Sequence, residues 1–171
     1  IVRDAAHIDP DDPTDVARER LETLSGNPEV ARRVASALGW SNEELPVAEL
    51  FWGIRELLEH LASVLPLVVV IDDVHWAAPT LLDLIGHLVS NVDGARILVL
   101  CTARPDMLEV NPGWSDGPSA GRLILDRLPA DASAQVLENM MGGVELPPRV
   151  RDTVLRGADG NPLFVEQLVS M

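Results

Sequence analysis

Residues 67–73 read Leu-Val-Val-Val-Ile-Asp-Asp, an unbroken apolar run that stops abruptly at two acids. Four of its five apolar residues are β-branched, and Pro66 stands directly ahead of it. A run this short and this branched fits a strand buried on both faces of a parallel sheet. Ile97 to Leu100 is a second run of the same kind. Between them Pro79 opens a helical pattern through Leu81, Leu84, Ile85 and Leu88, which Asp93-Gly94 closes. Strand, helix and strand at this spacing predict a βαβ unit with a right-handed crossover. The fold class expected is therefore α/β, a parallel sheet flanked by helices. Leu123 to Leu125 is a weaker apolar run, expected as a last strand over 122–126.

Helical periodicity fills most of the remaining chain. Residues 1–65 contain a helix after Thr14, with Val16, Ala17, Leu21 and Leu24 on its inner side. A shorter helix carries Val30, Val34 and Leu38 and ends at Gly39. Leu50, Phe51, Ile54, Leu57, Leu58, Leu61 and Leu65 recur at three and four residues after Pro46, which is one apolar stripe of a long helix. The stretch 109–121 keeps no apolar period and is rich in Gly, Pro and Ser, so it reads as a loop. From 130 to 171 three further helices are expected, around Leu137, around Val154 and after Asn161-Pro162. The domain boundary is thus placed between 129 and 130.

Charge narrows the function classes. The chain of 171 residues has a formal net charge of −14, which repels phosphate backbones and anionic lipid and excludes direct nucleic-acid or membrane-surface binding as a first expectation. No apolar run reaches the roughly 18 residues of a membrane span. The single cysteine, Cys101, excludes an internal disulfide and fits a reducing cytoplasm. All thirteen basic residues are arginine. The chain starts at Ile1 without a signal-peptide pattern and is expected to be a piece of a longer protein.

Asp72 and Asp73 are the residues most suggestive of chemistry. The carboxyl edge of a parallel sheet is where open α/β folds bind ligands. Phosphoryl transfer uses one carboxylate there to hold Mg²⁺ on the phosphates and another group to orient the attacking water. The plain alternative is that these acids start a turn or cap the next helix.

The order Ile71-Asp72-Asp73-Val74-His75-Trp76, followed by Pro79-Thr80-Leu81-Leu82-Asp83-Leu84, resembles the Walker B region of AAA-type ATPases of the STAND class. These domains occur in large LuxR-like transcriptional regulators and beside adenylate or guanylate cyclase domains. Leu98 to Cys101 followed by Thr102-Ala103-Arg104-Pro105 is similar to their sensor-one strand. Gly160-Asn161-Pro162-Leu163-Phe164 is similar to their Gly-x-Pro-Leu lid signature. Phe51-Trp52 and Asn111-Pro112-Gly113-Trp114 add to the likeness, which covers nearly the whole chain. Ala78 departs from it, since the family usually has an acid there.

The resemblance implies a partial P-loop NTPase core of the AAA/ASCE type over 1–129. That core would comprise a helical insert (1–65), a Walker B strand (67–73), a sensor-one strand (97–104) and a last strand (122–126). The start of a helical lid would follow over 130–171. It implies ATP and Mg²⁺ as ligands of the intact parent, with Asp72 on the metal and Asp73 orienting water. Arg104 would contact the γ-phosphate and Pro162 would lie near the adenine. The chain contains no lysine, so the Gly-x-x-x-x-Gly-Lys-[Ser/Thr] loop is not in it. That loop is expected upstream, and the chain alone is expected to bind Mg-ATP poorly. The parent would be a slow ATP-hydrolysing switch in a bacterial signalling or transcriptional regulator. Its partners would be nucleotide and the other domains of the parent, with nucleotide-dependent self-association left open. The alternative is a non-catalytic interaction or scaffold module with a degenerate nucleotide site.

Other residues read as structural. Asp9, Asp11, Asp12 and Asp15 lack the spacing of a calcium loop and suggest a solvated turn capping the next helix. His7, His60, His75 and His87 are too scattered for zinc. His75 is expected as a packed or turn histidine, Trp76 as packed behind the strand, and Cys101 as a buried thiol.

Overall fold

The computed structural model describes residues 2–114 and 116–170. It is helix-rich α/β with a small parallel sheet of two strands. The chain divides into two compact units, Ile1–Gly121 and Arg122–Met171.

The first unit begins with α1 (Val2–Ala5), α2 (Thr14–Ser25), α3 (Pro28–Ala37) and α4 (Val47–Val64). Asn27 caps α3 by accepting from the Glu29 N–H at 3.0 Å, and Pro28 follows at the first helical position, where its missing N–H costs nothing. Leu21, Val34 and Leu57 are completely buried together, one from each of the three longer helices. Each such burial stabilises by about 1.5–3 kcal/mol. Gly53 lets α3 and α4 approach, because a Cβ there would stand 2.5 Å from the Arg33 Cβ.

Helix α4 serves two cores with adjacent residues. Leu57 faces α2 and α3, whereas Leu58 packs with Val69 and Leu88 against the sheet. Consecutive helical residues point about 100° apart, so one helix can join both layers. The sheet consists of β1 (Leu67–Ile71) and β2 (Ile97–Cys101), parallel and in register from Leu67 opposite Ile97 to Ile71 opposite Cys101. Helix α5 (Pro79–Asn91) lies between them in sequence, so the expected strand–helix–strand order is present. Beyond β2 comes α6 (Met107–Val110), whose Met107 is buried with Val74 and Ile85.

Two sequence expectations are corrected here. The strands are not buried on both faces: Val69 is buried and Leu67, Ile71, Ile97 and Val99 pack beside it, but Val68, Val70, Leu98 and Leu100 are each more than half exposed. Side chains alternate across a strand, and the described residues of this unit cover one face alone. Residues 122–126 form no strand either. Leu123, Ile124 and Leu125 are exposed, and among the described residues the sheet has two strands. An apolar run without a neighbouring strand has nothing to pair its backbone with.

The second unit packs α7 (Ala130–Met141), α8 (Pro148–Ala158) and α9 (Pro162–Val169) around Leu137, Ala158 and Val165. The segment before α7 is tied to the α8–α9 turn, where the Leu128 N–H donates to the Gly160 carbonyl at 2.8 Å and Arg127 pairs with Asp159. Gly160 has φ +75°, and a Cβ there would meet the Leu128 carbonyl oxygen at 2.7 Å. No helix among the described residues is long and apolar enough to cross a membrane.

Candidate functional site

The parallel register decides which side chains meet. Ile71 and Cys101 are the last paired residues of β1 and β2, so Asp72 and Thr102 leave the sheet side by side. Both lie at the carboxyl edge, where the backbone continues the pairing for one step: the Thr102 N–H donates to the Ile71 carbonyl at 3.1 Å and the Val74 N–H to the Thr102 carbonyl at 2.9 Å. The Thr102 hydroxyl then works in both directions. It donates to Asp72 Oδ1 and accepts the Asp73 N–H at 3.0 Å.

Asp73 turns the chain sharply, at φ +54° and ψ +41°. Few non-glycine residues occupy this left-handed region, aspartate being among those that tolerate it, and such positions cluster at functional sites. Val74–Trp76 follows as a single 3-10 turn. The Asp73 carboxylate does not cap that turn, and its side chain is 68% exposed. The capping explanation for this acid therefore fails, and the carboxylate points to solvent from a fixed backbone.

His75 and Trp76 complete the turn in opposite ways. The His75 side chain is 7% exposed, with Nδ1 3.7 Å from Asp73 Oδ1, so it is the packed histidine expected. Trp76 is 76% exposed, which corrects the expectation that it packs behind the strand. It is outward because Val74, two residues earlier, takes the inward place in the turn. Arg104, two residues beyond Thr102, lies over the Trp76 ring at 5.7 Å from its centroid. A guanidinium on an indole face is a cation–π contact, and it holds a permanent positive charge beside the turn.

Asp72, Asp73 and Arg104 thus belong to one edge of the first unit. Pro162 belongs to the second, where it occupies the first position of α9 behind Asn161, whose side chain accepts the Leu163 N–H at 3.0 Å. Two surface hollows lie elsewhere, one against Ala6, His7, Arg20 and Leu24, the other by Ala62, Ser63 and Arg96 at the amino end of the strands. Cys101 is half-buried, and desolvation raises its thiol pKa, which makes it a poor nucleophile. Asp12 accepts the Asp9 N–H at 2.9 Å and pairs with Arg20, a local turn. It does not cap α2, which starts behind Pro13 with no side-chain cap.

Among the described residues no three His, Cys, Asp or Glu side chains converge as a ready cage for a metal ion. Two adjacent carboxylates still suit Mg²⁺, which keeps several waters and commonly takes one or two protein carboxylates plus phosphate oxygens. Thr102 orients Asp72 through Oδ1, and no hydrogen bond among the described residues engages Oδ2. The chain has no lysine, so a Gly-x-x-x-x-Gly-Lys-[Ser/Thr] loop is not within it.

Sequence reasoning singled out Arg104 in this segment and passed over Thr102. The signal was present: Asp72 directly follows the run Leu67 to Ile71, and Thr102 directly follows Leu98 to Cys101.

No family model matches the chain, and no solved structure matches it. It is similar to an uncharacterized protein of Rhizobium meliloti (strain 1021), 31% identical over 119 residues. The match covers 67% of this chain and spans 11% of the relative's length.

Proposed function

We propose that this chain is part of an ATP-binding, slowly ATP-hydrolysing regulatory domain with a P-loop NTPase core of the AAA/STAND type. The intact protein would be a cytoplasmic bacterial signalling or transcriptional regulator. The observation that carries the reading is the Thr102 hydroxyl between Asp72 and the Asp73 backbone. It fixes the Asp72 carboxylate and the Asp73 backbone at the carboxyl edge of a parallel sheet, which is the mount that metal-assisted phosphoryl transfer uses. That Asp73 caps nothing supports the same reading, as does Arg104 held on Trp76.

In this reading Asp72 holds Mg²⁺ through its free oxygen, and Asp73 accepts a hydrogen bond from the attacking water. Arg104 meets the γ-phosphate with its planar fork. Bound Mg²⁺ would neutralise the charge on the β- and γ-phosphates. The role of Pro162 beside the adenine rests on the sequence resemblance alone. The phosphate loop and its lysine would come from another segment of the intact protein.

The metal requirement tests this reading. ATP hydrolysis by the intact protein should need at least tenfold more Mg²⁺ after Asp72→Asn, since loss of even an outer-shell partner of a metal ligand costs about tenfold or more in affinity. An unchanged Mg²⁺ dependence would remove Asp72 from the metal. The second reading, a scaffold with a degenerate site, is favoured by the exposed apolar sheet face. It predicts no hydrolysis at any Mg²⁺ concentration.

A further inference from the structure

His75 is the polar side chain at this edge whose bonding is incomplete. Both ring nitrogens are shut off from solvent, and neither has a hydrogen-bond partner among the described residues. A buried polar group without a partner destabilises the fold, and this ring carries two. Native structures seldom retain such groups without a use.

The geometry indicates the use. Nδ1 faces Asp73 Oδ1 at 3.7 Å, a few tenths of an ångström beyond a hydrogen bond. The imidazole is held in place by burial, with the Trp76 ring 5.0 Å away centroid to centroid. Asp73 is the movable partner. Its backbone is pinned by the N–H bond to Thr102, while its carboxylate is exposed and not engaged as a cap. A modest side-chain rotation closes the gap from the Asp73 side alone.

We propose that His75 is a positioning residue that presents Nδ1–H to Asp73 and holds that carboxylate in one orientation. One oxygen takes the imidazole N–H, and the other is left facing solvent, where an attacking water would stand. The contact follows from the geometry of this edge; its use in hydrolysis rests on the water-orienting role assigned to Asp73 above.

The tautomer of His75 tests the proposal. A long-range ¹H–¹⁵N spectrum of the 171-residue chain is recorded without nucleotide or metal at about pH 8.5, above the ordinary histidine range. A neutral histidine with no directing partner favours the Nε2–H form. His75 should instead appear as Nδ1–H. Asp73→Gly should return it to Nε2–H, and glycine suits the left-handed backbone there. Asp73→Asn, which keeps an acceptor oxygen, should leave the Nδ1–H form in place. An Nε2–H tautomer in the unmodified chain would overturn the proposal, and so would an Nδ1–H form that persists in Asp73→Gly. Because no Mg²⁺ or ATP is present, this result is separate from the Mg²⁺ dependence that tests the phosphate-site reading.

Discussion

Asp72 and Thr102 stand thirty residues apart in sequence and share a hydrogen bond across the ends of two parallel strands. The bond exists because the register brings Ile71 opposite Cys101. The same hydroxyl receives the Asp73 N–H, so one side chain orients the Asp72 carboxylate and pins the Asp73 backbone. Thr102→Val keeps the shape and removes both bonds. It should lower the stability of the chain by about 1–2 kcal/mol in urea unfolding. Thr102→Ser should recover most of the loss. Equal stability of Thr102→Val and the unmodified chain would show that the hydroxyl holds nothing.

The α3–α4 contact makes a sharper packing prediction. A Cβ on Gly53 would meet the Arg33 Cβ at 2.5 Å, and a side-chain root cannot swing away as a tip can. Gly53→Ala gains helix propensity of about 1 kcal/mol but forces the two helices apart. Overpacking of this kind costs about 1–3 kcal/mol. The net change in unfolding free energy should be destabilising; a rise in stability would mean that the helices separate freely.

Arg33 also organises the charges on that surface. It pairs with Glu29 at 2.7 Å and Glu49 at 2.6 Å and lies over the Trp52 ring. Hydrogen bonds from Arg33 and then Arg32 lower the pKa of Glu29 below its ordinary value. A carboxylate with a lowered folded-state pKa stabilises the fold above its unfolded pKa, and that contribution is lost as pH falls through the folded value. Thermal unfolding of Glu29→Gln should therefore differ from the unmodified chain near neutral pH, with the two converging as the pH drops below about 4. The difference should be small because Glu29 is exposed. A gap that widens on acidification would contradict this assignment.

Much of the architecture was legible in the sequence because periodicity reports burial. The stripe through Leu57 and Leu58 gave the long helix, and Pro28, Pro79, Pro148 and Pro162 mark first helical positions where the missing N–H is harmless. The two β-branched runs gave both strands. What periodicity could not report is whether a neighbour exists. Val68, Val70, Leu98 and Leu100 read as core and are exposed, because hydrophobic residues record what a face can bury and not what covers it. Leu123 to Leu125 failed as a strand for the same reason. The carboxylates were visible as a pair, whereas Thr102 became visible through the register and His75 through its lack of partners.

The most direct measurement of the central claim is ATP turnover by the intact protein that carries this chain, compared with its Asp73→Asn variant. A water-orienting carboxylate contributes about 10²–10⁴-fold to rate and little to ground-state binding. The account predicts slow Mg²⁺-dependent hydrolysis that falls at least 100-fold in Asp73→Asn while ATP affinity stays unchanged. Turnover that survives the substitution intact would contradict it.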